Sequence, residues 1–402
     1  MAIQRSWTKM DQPGPDVAAE SLVLSCWNLN RTLARSRRVR ALLETMGPGV
    51  VLSQPTEPYA SFRTVPFPVD LGLKRFLINW GIFNLFLPAN IRTIRSILRQ
   101  YRPKIAALTS ILDYQPVRRS ADLPMVLDAH NCEAVAIEER FGRRHLFAMM
   151  IRAWEGRVAR AMDHIFVCSE VDKVQFVERY SIQQERVSVT PNGIDASVYE
   201  KPGAGGSIDP DLERQLGDAT VLFFMGGLQY QPNSQALEFM DGTLMPRLKE
   251  LSSKPFKLII CGGPIPSGGF DSDIVFAGRV PDNELLAYLA RADICLAPIR
   301  TGSGTRFKIL EYMAAGNPVI STAKGAEGIA CLHGRDVIIS ELDGFAAAVV
   351  ELAGSEQRAA AIGEAAQKLV FEKYDWDKAV KPIWRSVLSR LSAATVGIEQ
   401  GN

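Results

Sequence analysis

The chain has 402 residues, of which 47% are hydrophobic and 22% are charged, and its net charge at pH 7 is +2. This length exceeds what one hydrophobic core usually supports, and the apolar content is ample for two buried sheets. The sequence has no internal repeat of fixed period and no long low-complexity tract, which excludes repeat architectures. Short runs rich in Val, Ile and Leu alternate with helical stretches, which predicts two α/β domains with parallel sheets.

The start of the chain and its cysteines predict where the protein works. The N-terminal residues are polar and lack the apolar core of a signal peptide. Most of the six cysteines, at positions 26, 132, 168, 261, 295 and 331, lie in apolar strand-like segments, and they form no Cys-x-x-Cys pair. We therefore expect small core residues in a reducing compartment, without metal or disulfide, and a cytoplasmic protein.

Basic residues gather in the first half of the chain. Five arginines fall within Arg31–Arg40, a second cluster (Arg92–Lys104) follows an apolar run at residues 76–89, and a third spans Arg140–Arg160. The apolar run is shorter than the roughly twenty residues that a membrane-spanning helix needs. Two interpretations stay open: peripheral contact with an anionic membrane, on the inner face of the cytoplasmic membrane, or a buried helix with a solvated basic face. Aromatic residues do not interleave with the charges, which argues against nucleic acid as a partner.

One histidine in the first half has a position typical of a functional residue. His130 follows the apolar segment Met125–Ala129, and open α/β sheets place ligands at the carboxyl ends of their strands. A lone histidine is more often structural, so this pattern alone leaves both roles open. His145, His164 and His333 receive no role.

Two Asp-x-Asp triplets are the candidates for a metal site. Asp209-Pro-Asp211 lies in the probable linker, for which Gly203–Ser207 is the best candidate, and Asp271-Ser-Asp273 lies among turn-forming residues. Both triplets are expected to be solvated turns, because Asp, Ser, Pro and Gly favour turns. We therefore predict no bound metal.

Glycines end two of the apolar runs in the second half. Met225 is followed by Gly226 and Gly227, where the absence of a side chain lets the backbone approach a ligand closely. A tight turn would explain one of these glycines equally well. Gly278-Arg279-Val280 ends a later run.

The most informative segment is Ala292–Thr322, which predicts a strand, a glycine loop, a helix and a strand. The loop carries Gly302 and Gly304, and the helix is expected to open near Thr305 and to close at Gly316. A helix N-terminus of this kind binds phosphate well. Basic side chains at positions 306 and 308 would add fixed positive charge, and Glu311 offers a carboxylate to two hydroxyls. The combination suits a nucleoside diphosphate with its ribose.

Other phosphate-binding loops fit this segment less well. No Lys-Ser or Lys-Thr pair follows a glycine run, as a Walker loop requires. A dinucleotide fingerprint needs a third small residue where Phe307 stands, and an acid where the next strand ends in Ser321-Thr322.

The segment resembles the donor-binding motif of the retaining glycosyltransferases of family 4, in the subset with Gly-x-Gly-Thr-Arg-x-Lys-x-x-Glu. The resemblance runs from Met125 to Tyr374 and includes Val187–Asp195, Val221–Leu228 and Val275–Val280. It implies the GT-B fold: an acceptor-binding Rossmann-like domain (1–196), a nucleotide-sugar-binding domain (197–375) facing it across a cleft, and a C-terminal helix (376–402) that returns to the first domain.

The resemblance also implies an activity and its residues. The expected reaction is metal-independent transfer of a sugar, with retention, from a UDP- or GDP-linked donor to a glycan or lipid-linked acceptor. The expected setting is the synthesis of cell-surface or secondary-metabolite polysaccharides and glycoconjugates, without a cofactor. The implied catalytic residues are His130, Arg306 and Lys308. The implied donor-binding residues are Gly226, Gly227, Arg279, Val280, Gly302, Ser303, Gly304, Thr305 and Glu311. Glu327 is a further candidate because it follows the next predicted strand.

One departure from the family pattern keeps two alternatives open. Many members carry a first glutamate eight residues before the second, and this chain has Ser303 there. Ser303 can donate a hydrogen bond but supplies no carboxylate, so the way the donor sugar is held differs from the family pattern. A non-catalytic nucleotide-sugar-binding partner subunit is the alternative that this missing glutamate favours. A sugar-nucleotide 2-epimerase of the same fold is the other alternative.

Overall fold

The computed structural model of the chain describes residues 21–24, 34–46, 49–53, 63–66, 88–111, 114–118, 123–200, 207–302 and 304–399. Two compact units divide it: Met1–Asp128, Ala161–His164 and Arg385–Asn402 form the first, and Ala129–Arg160 and Ile165–Trp384 form the second. The predicted domain boundaries, at 196/197 and 375/376, stay predictions.

The first sheet has seven strands in the order β3-β2-β1-β4-β5-β6-β7. Its strands and the helices between them are β1 (Ser21–Leu24), α1 (Ala34–Met46), β2 (Gly49–Ser53), β3 (Arg63–Pro66), α2 (Pro88–Tyr101), β4 (Ile105–Leu108), α3 (Tyr114–Arg118), β5 (Met125–Ala129), α4 (Glu133–Phe141), α5 (Leu146–Ala161), β6 (His164–Val167), α6 (Glu170–Tyr180), β7 (Val187–Val189) and α7 (Ala196–Tyr199). Parallel pairing joins β1 to β2 and β4, β2 to β3, β4 to β5, and β6 to β7.

An ion pair lies inside the first unit. The Arg38 guanidinium on α1 donates from Nε to both oxygens of Asp128 on β5, each at 3.0 Å. Both side chains are fully buried. Removing one partner of such a pair leaves an uncompensated buried charge, so the two residues hold α1 and β5 together.

The second sheet has six parallel strands in the order β10-β9-β8-β11-β12-β13. Its elements are α8 (Pro210–Leu216), β8 (Thr220–Met225), α9 (Gln231–Phe239), a π turn (Met240–Leu244), α10 (Met245–Leu251), β9 (Phe256–Cys261), β10 (Ile274–Gly278), α11 (Asp282–Arg291), β11 (Ile294–Ala297), α12 (Phe307–Ala314), β12 (Val319–Ser321), β13 (Ile338–Ile339), α13 (Leu342–Ala353) and α14 (Glu356–Lys373).

This order reverses between β8 and β11, because β9 and β10 continue on one side and β12 and β13 on the other. The central strands are continuous apolar runs and are buried along nearly their whole length, as a sheet covered on both faces requires. In doubly wound sheets, ligands bind outside the carboxyl ends of the strands at such a switch point. The loops after β8 and β11 are therefore where a ligand is expected.

A π turn (Trp376–Val380) and a long helix, α15 (Lys381–Glu399), end the described chain. Asp375 caps the π turn by accepting from the Lys378 N–H at 2.8 Å. Trp384 is fully buried and packs on Phe166 and Trp376, with ring centroids 6.4 and 5.8 Å apart. The predicted helix exists, and its return to the first domain stays a prediction.

These elements test several predictions made from the sequence. Four cysteines, 132, 168, 261 and 295, are buried and free, as expected, and Cys331 is half-buried. In α2, Ile97 is buried while Arg95 and Arg99 are exposed, so the basic face of this helix is solvated. No helix within the described residues is long and apolar enough to span a membrane. Cys26, the linker candidate up to residue 206, and residues 76–87 of the apolar run lie outside the described residues.

Candidate functional site

The predicted strand–loop–helix–strand unit is present. Strand β11 leads into loop residues 298–302 and 304–306, α12 follows, and β12 is parallel to β11. The helix begins at Phe307, two residues later than predicted, because Arg306 has extended backbone angles (φ −93°, ψ 108°). After α12, Gly316 has the left-handed conformation expected of a helix stop (φ +77°).

The loop before α12 is folded around the Arg306 side chain. Its Nη1 donates to the Gly304 carbonyl at 2.6 Å, and its Nη2 donates to the Gly302 carbonyl at 2.7 Å. Both glycines have positive φ, +101° and +77° respectively for Gly302 and Gly304, where other residues are strained. Burial lowers the pKa of Arg306, and Glu327 opposes this shift. Arg306 therefore stabilises the conformation of the loop as well as supplying charge. Ser303, the remaining predicted residue of this loop, lies outside the described residues.

Lys308 points from α12 toward the end of β8. Its Nζ donates to Asn233 Oδ1 at 2.8 Å and lies 4.0 Å from the centroid of the Phe224 ring. Burial, and secondarily the charge of Arg306, lower its pKa to about 7. The fixed positive charge expected at Lys308 stays a prediction, and burial acts against the charged form of this amine.

The glycines after β8 differ from each other. Gly226 has a φ of +153°, and a Cβ there would lie 2.5 Å from Asn233 Nδ2 and 2.9 Å from Lys308 Nζ. Gly227 is exposed, and a Cβ there would meet nothing within 4 Å. A Cβ on Gly262, at the end of β9, would fall 1.9 Å from the Gly226 carbonyl oxygen. The packing around Gly226 thus leaves no room for a side chain, whereas the surroundings of Gly227 do.

Glu311 lies one turn after Phe307 and Lys308 on α12 and is buried, with 6% of its surface exposed. Its charge raises the pKa of Lys308, against the effect of burial. Residues three apart on a helix share a face, so Glu311 and Lys308 lie on one face of α12. At the end of β10, Arg279 is exposed and Val280 packs against the core.

His130 follows β5, as predicted, and belongs to the same compact unit as the glycine loop. A Cβ on Gly304 would lie 3.2 Å from the His130 carbonyl oxygen, so the loop backbone passes directly beside this residue. Thr305 is also held within this unit by Asn192, which follows β7 and whose Nδ2 donates to Thr305 Oγ1 at 2.6 Å. The structure therefore brings His130, Thr305 and the glycine loop together.

Sequence reasoning missed several members of this site. Asn192 and Asn233 both bond to predicted site residues, and each lies in a segment that the resemblance covers without a role of its own. Glu327 lies 3.6 Å from Arg306 Nη1 and 2.8 Å from Lys324 Nζ. Lys324 in turn pairs with Glu139 of α4 at 3.0 Å. Asn192 and Asn233 bond to residues far away in the sequence, and such contacts leave no local pattern. Glu327 is a sequence candidate for the site because it follows a predicted strand.

The Asp-x-Asp triplets have structural roles. Asp209 is not in a turn of the linker: it caps α8 by accepting from the N–H groups of Asp211 and Leu212. Asp273 pairs with Lys257 and Lys249, at 2.7 and 2.9 Å, and these lysines lower its pKa. In the part of the chain that the structure describes, no group of three or more His, Cys, Asp or Glu side chains is placed to hold a metal ion.

Two family profiles match the chain. The one described as Glycosyltransferase Family 4 matches residues 50–198, and the one described as Glycosyl transferases group 1 matches residues 219–355. A D-inositol 3-phosphate glycosyltransferase of Corynebacterium urealyticum is 24% identical over 252 residues, which are 58% of this chain and 58% of that protein. The chain thus matches little more than half the length of this curated relative.

Two solved structures are similar over nearly the whole chain. Sucrose-phosphate synthase from Thermosynechococcus elongatus has a TM-score of 0.72 at 15% identity, covering 94% of this chain and 100% of that one. Anabaena HepE, solved in complex with UDP-glucose, has a TM-score of 0.67 at 14% identity, covering 93% and 99%. These similarities confirm the predicted fold, GT-B with two parallel-sheet α/β domains.

Proposed function

Since the chain belongs to the family 4, group 1 glycosyltransferases, we propose that it transfers a hexosyl-type sugar from a nucleotide-diphosphate donor to an acceptor hydroxyl. The observation that carries the proposal is the junction of the glycine loop with α12. This junction follows β11, at the switch point of a doubly wound sheet. It carries backbone N–H groups, the Arg306 guanidinium, the Lys308 amine and the Glu311 carboxylate.

In this proposal the donor diphosphate binds at the N-terminus of α12. The first N–H groups of a helix have no partner within it, and the helix dipole favours an anion there. Lys308 lies on the first turn, beside the Gly226 turn that follows β8. Glu311, one turn further, accepts from the ribose hydroxyls, and the backbone at Arg279 and Val280 borders the base. UDP and GDP are the proposed nucleotides, and the HepE complex with UDP-glucose supports the first of them.

In the reaction, the bond between the anomeric carbon and the diphosphate oxygen breaks, and the acceptor oxygen bonds to that carbon on the same face. The proton of the acceptor hydroxyl passes to the leaving diphosphate. Negative charge develops on the leaving diphosphate, so the donors at the α12 junction stabilise the transition state more than the ground state. Removing one such donor typically costs about a hundredfold or more in rate. His130 borders the sugar in this arrangement. The junction supplies positive charge from the protein, and we propose that turnover needs no metal.

We propose a glycan or a lipid-linked glycan as the acceptor, met at an anionic membrane surface. Leu146 is 72% exposed and Met150 is 59% exposed at the start of α5, and Arg143 and Arg144 precede them and are exposed. Exposed apolar side chains beside basic residues suit a lipid interface. Sedimentation with vesicles of neutral or anionic lipid tests this: binding only to anionic vesicles, lost in Leu146→Asp/Met150→Asp, supports it, and equal binding of both proteins refutes it.

Calorimetric titration with UDP, GDP, ADP and dTDP, without added metal, tests the donor site. The variants are Arg306→Ala and Glu311→Ala, with Arg247→Ala and Glu250→Ala as matched controls, since these two exposed residues pair with each other on helix α10. Micromolar binding of one nucleotide, about −8 kcal/mol, lost in the first pair and kept in the second, supports the proposal. No binding of any nucleotide refutes it.

The products then separate the transferase from its alternatives. The matching nucleotide sugar is incubated with the chain, with and without glycan acceptors, and the anomeric configuration is read by NMR. Retention in the product supports the proposed reaction. Change of the donor alone would indicate an epimerase, and binding without turnover would indicate a non-catalytic subunit.

A further inference from the structure

The Lys308 amine is surrounded by groups from separate elements. Asn233 of α9 accepts from it at 2.8 Å, the Phe224 ring of β8 lies 4.0 Å away, and the Gly226 turn leaves no room for a Cβ. An ammonium over an aromatic face is attracted by the ring quadrupole. The amine is therefore held by the Phe224 ring and by Asn233, and the contact with Asn233 is the hydrogen bond.

Asn233 uses both ends of its amide group. Its Oδ1 accepts from Lys308, while its Nδ2 donates to the Gly227 carbonyl at 3.0 Å. Only 6% of the residue is exposed, and its backbone N–H donates to the Tyr230 carbonyl at 2.8 Å. The orientation of the amide is determined by these partners, because the ammonium only donates and the carbonyl only accepts. Asn233 thus ties α12 to the turn after β8.

We propose that Asn233 is the positioning residue of the donor site: its amide holds the Lys308 amine against the Gly226–Gly227 turn, where the donor diphosphate meets it. This inference rests on the proposed function, because the Lys308 amine is positioned to bind the diphosphate of the proposed donor. An unplaced lysine would lose rotamer freedom on binding, and a lysine already fixed in position avoids that cost.

The same contacts make donor binding depend on pH. Burial and the charge of Arg306 lower the pKa of Lys308 to about 7, whereas the charge of Glu311 raises it. A diphosphate favours the charged amine, so the pKa of Lys308 rises on binding. Above about pH 7 the free protein must take up a proton to bind, and affinity therefore falls as the pH rises through this value.

Substitutions at position 233 separate placement from charge. In Asn233→Asp, a carboxylate faces the amine and raises the pKa of Lys308, so the fall in affinity moves to higher pH and the proton uptake near pH 8 shrinks. In Asn233→Ala, both bonds of the amide are lost, and affinity is expected to fall about tenfold at every pH. Ser234→Ala is the control on the same helix, because its hydroxyl donates only to Gln231 within that helix.

The experiment is calorimetric titration with UDP and with GDP from about pH 6 to about pH 9, in two buffers of different ionisation enthalpy that report the protons taken up. Lys308→Met and the double variant Asn233→Asp/Lys308→Met complete a double-mutant cycle. Thermal unfolding of each variant verifies that it is folded.

The inference is supported if Asn233→Asp shifts the pH profile upward, if Lys308→Met abolishes both the profile and that shift, and if Ser234→Ala behaves as the unmodified chain. It is overturned if a folded Asn233→Ala binds like the unmodified chain, or if Asn233→Asp leaves the profile unchanged. Failure of the unmodified chain to bind either nucleotide at any pH overturns the proposed function first, and the donor role of Asn233 with it.

Discussion

Replacing Gly226 by alanine tests how the donor site is built, because it adds one methyl group where three site elements meet. The added Cβ would lie 2.5 Å from Asn233 Nδ2 and 2.9 Å from Lys308 Nζ, on a backbone with a φ of +153°. Asn233 has no room to yield without giving up its bond to the Gly227 carbonyl. The substitution therefore disturbs both the backbone and the amide that holds Lys308.

The expected cost follows from these contacts. A non-glycine residue in such a backbone conformation costs about 1–3 kcal/mol, and the lost hydrogen bond costs about 1 kcal/mol. The sum is about 2–4 kcal/mol of unfolding free energy. For a unit of this size, each kcal/mol lowers the Tm by about 2–4 °C. Gly226→Ala should therefore lower the Tm by about 5–15 °C and weaken nucleotide binding at least tenfold.

Calorimetric unfolding without ligand, followed by nucleotide titration, measures both quantities. Gly227→Ala is the matched control, since a Cβ there meets nothing within 4 Å, and its Tm should stay within about 1 °C of the unmodified chain. The reasoning is refuted if the two variants unfold at the same temperature, or if Gly226→Ala keeps full nucleotide affinity.

Three further substitutions or treatments have defined outcomes. Arg306→Lys keeps the charge but cannot donate to the Gly302 and Gly304 carbonyls together, so kcat/KM should fall about a hundredfold, and steady-state kinetics would contradict this if the rate stayed within twofold. Arg38→Met leaves the buried Asp128 carboxylate uncompensated and should destabilise by about 3–5 kcal/mol in denaturant unfolding, whereas an apolar replacement of both residues should recover most of it. Treatment with EDTA should leave turnover unchanged, and loss of activity that manganese restores would show the proposed metal independence to be wrong.

Much of the fold could be predicted because its determinants are local. The apolar runs that became β8, β9 and β11 are continuous in the sequence, and strands covered on both faces need such runs. Gly302 and Gly304 were expected in a loop, and both have positive φ. Helix α12 begins two residues after the predicted start, because the Arg306 backbone is extended while its side chain bonds to carbonyls of the preceding loop.

The site could be predicted only in part. His130, Arg306, Lys308 and Glu311 stand out by residue type and by position after a strand or on a helix. Asn233 has no such signal, since a buried asparagine that bonds to a lysine 75 residues away looks like any polar residue near a helix start. Glu327 was a candidate from its position after β12, and its pairing with Lys324 and Arg306 came from the structure.

The sequence by itself determined where the strands, the glycine turns and the helix N-terminus lie, because hydrophobic periodicity and the demand for positive φ act over a few residues. Only the tertiary structure decided the burial that lowers the pKa of Lys308 and the partners of Asn192 and Asn233. Desolvation depends on every atom that excludes water from a group, and most of those atoms belong to distant parts of the chain. Burial therefore lowers the pKa of Lys308, an effect that the local sequence pattern does not reveal.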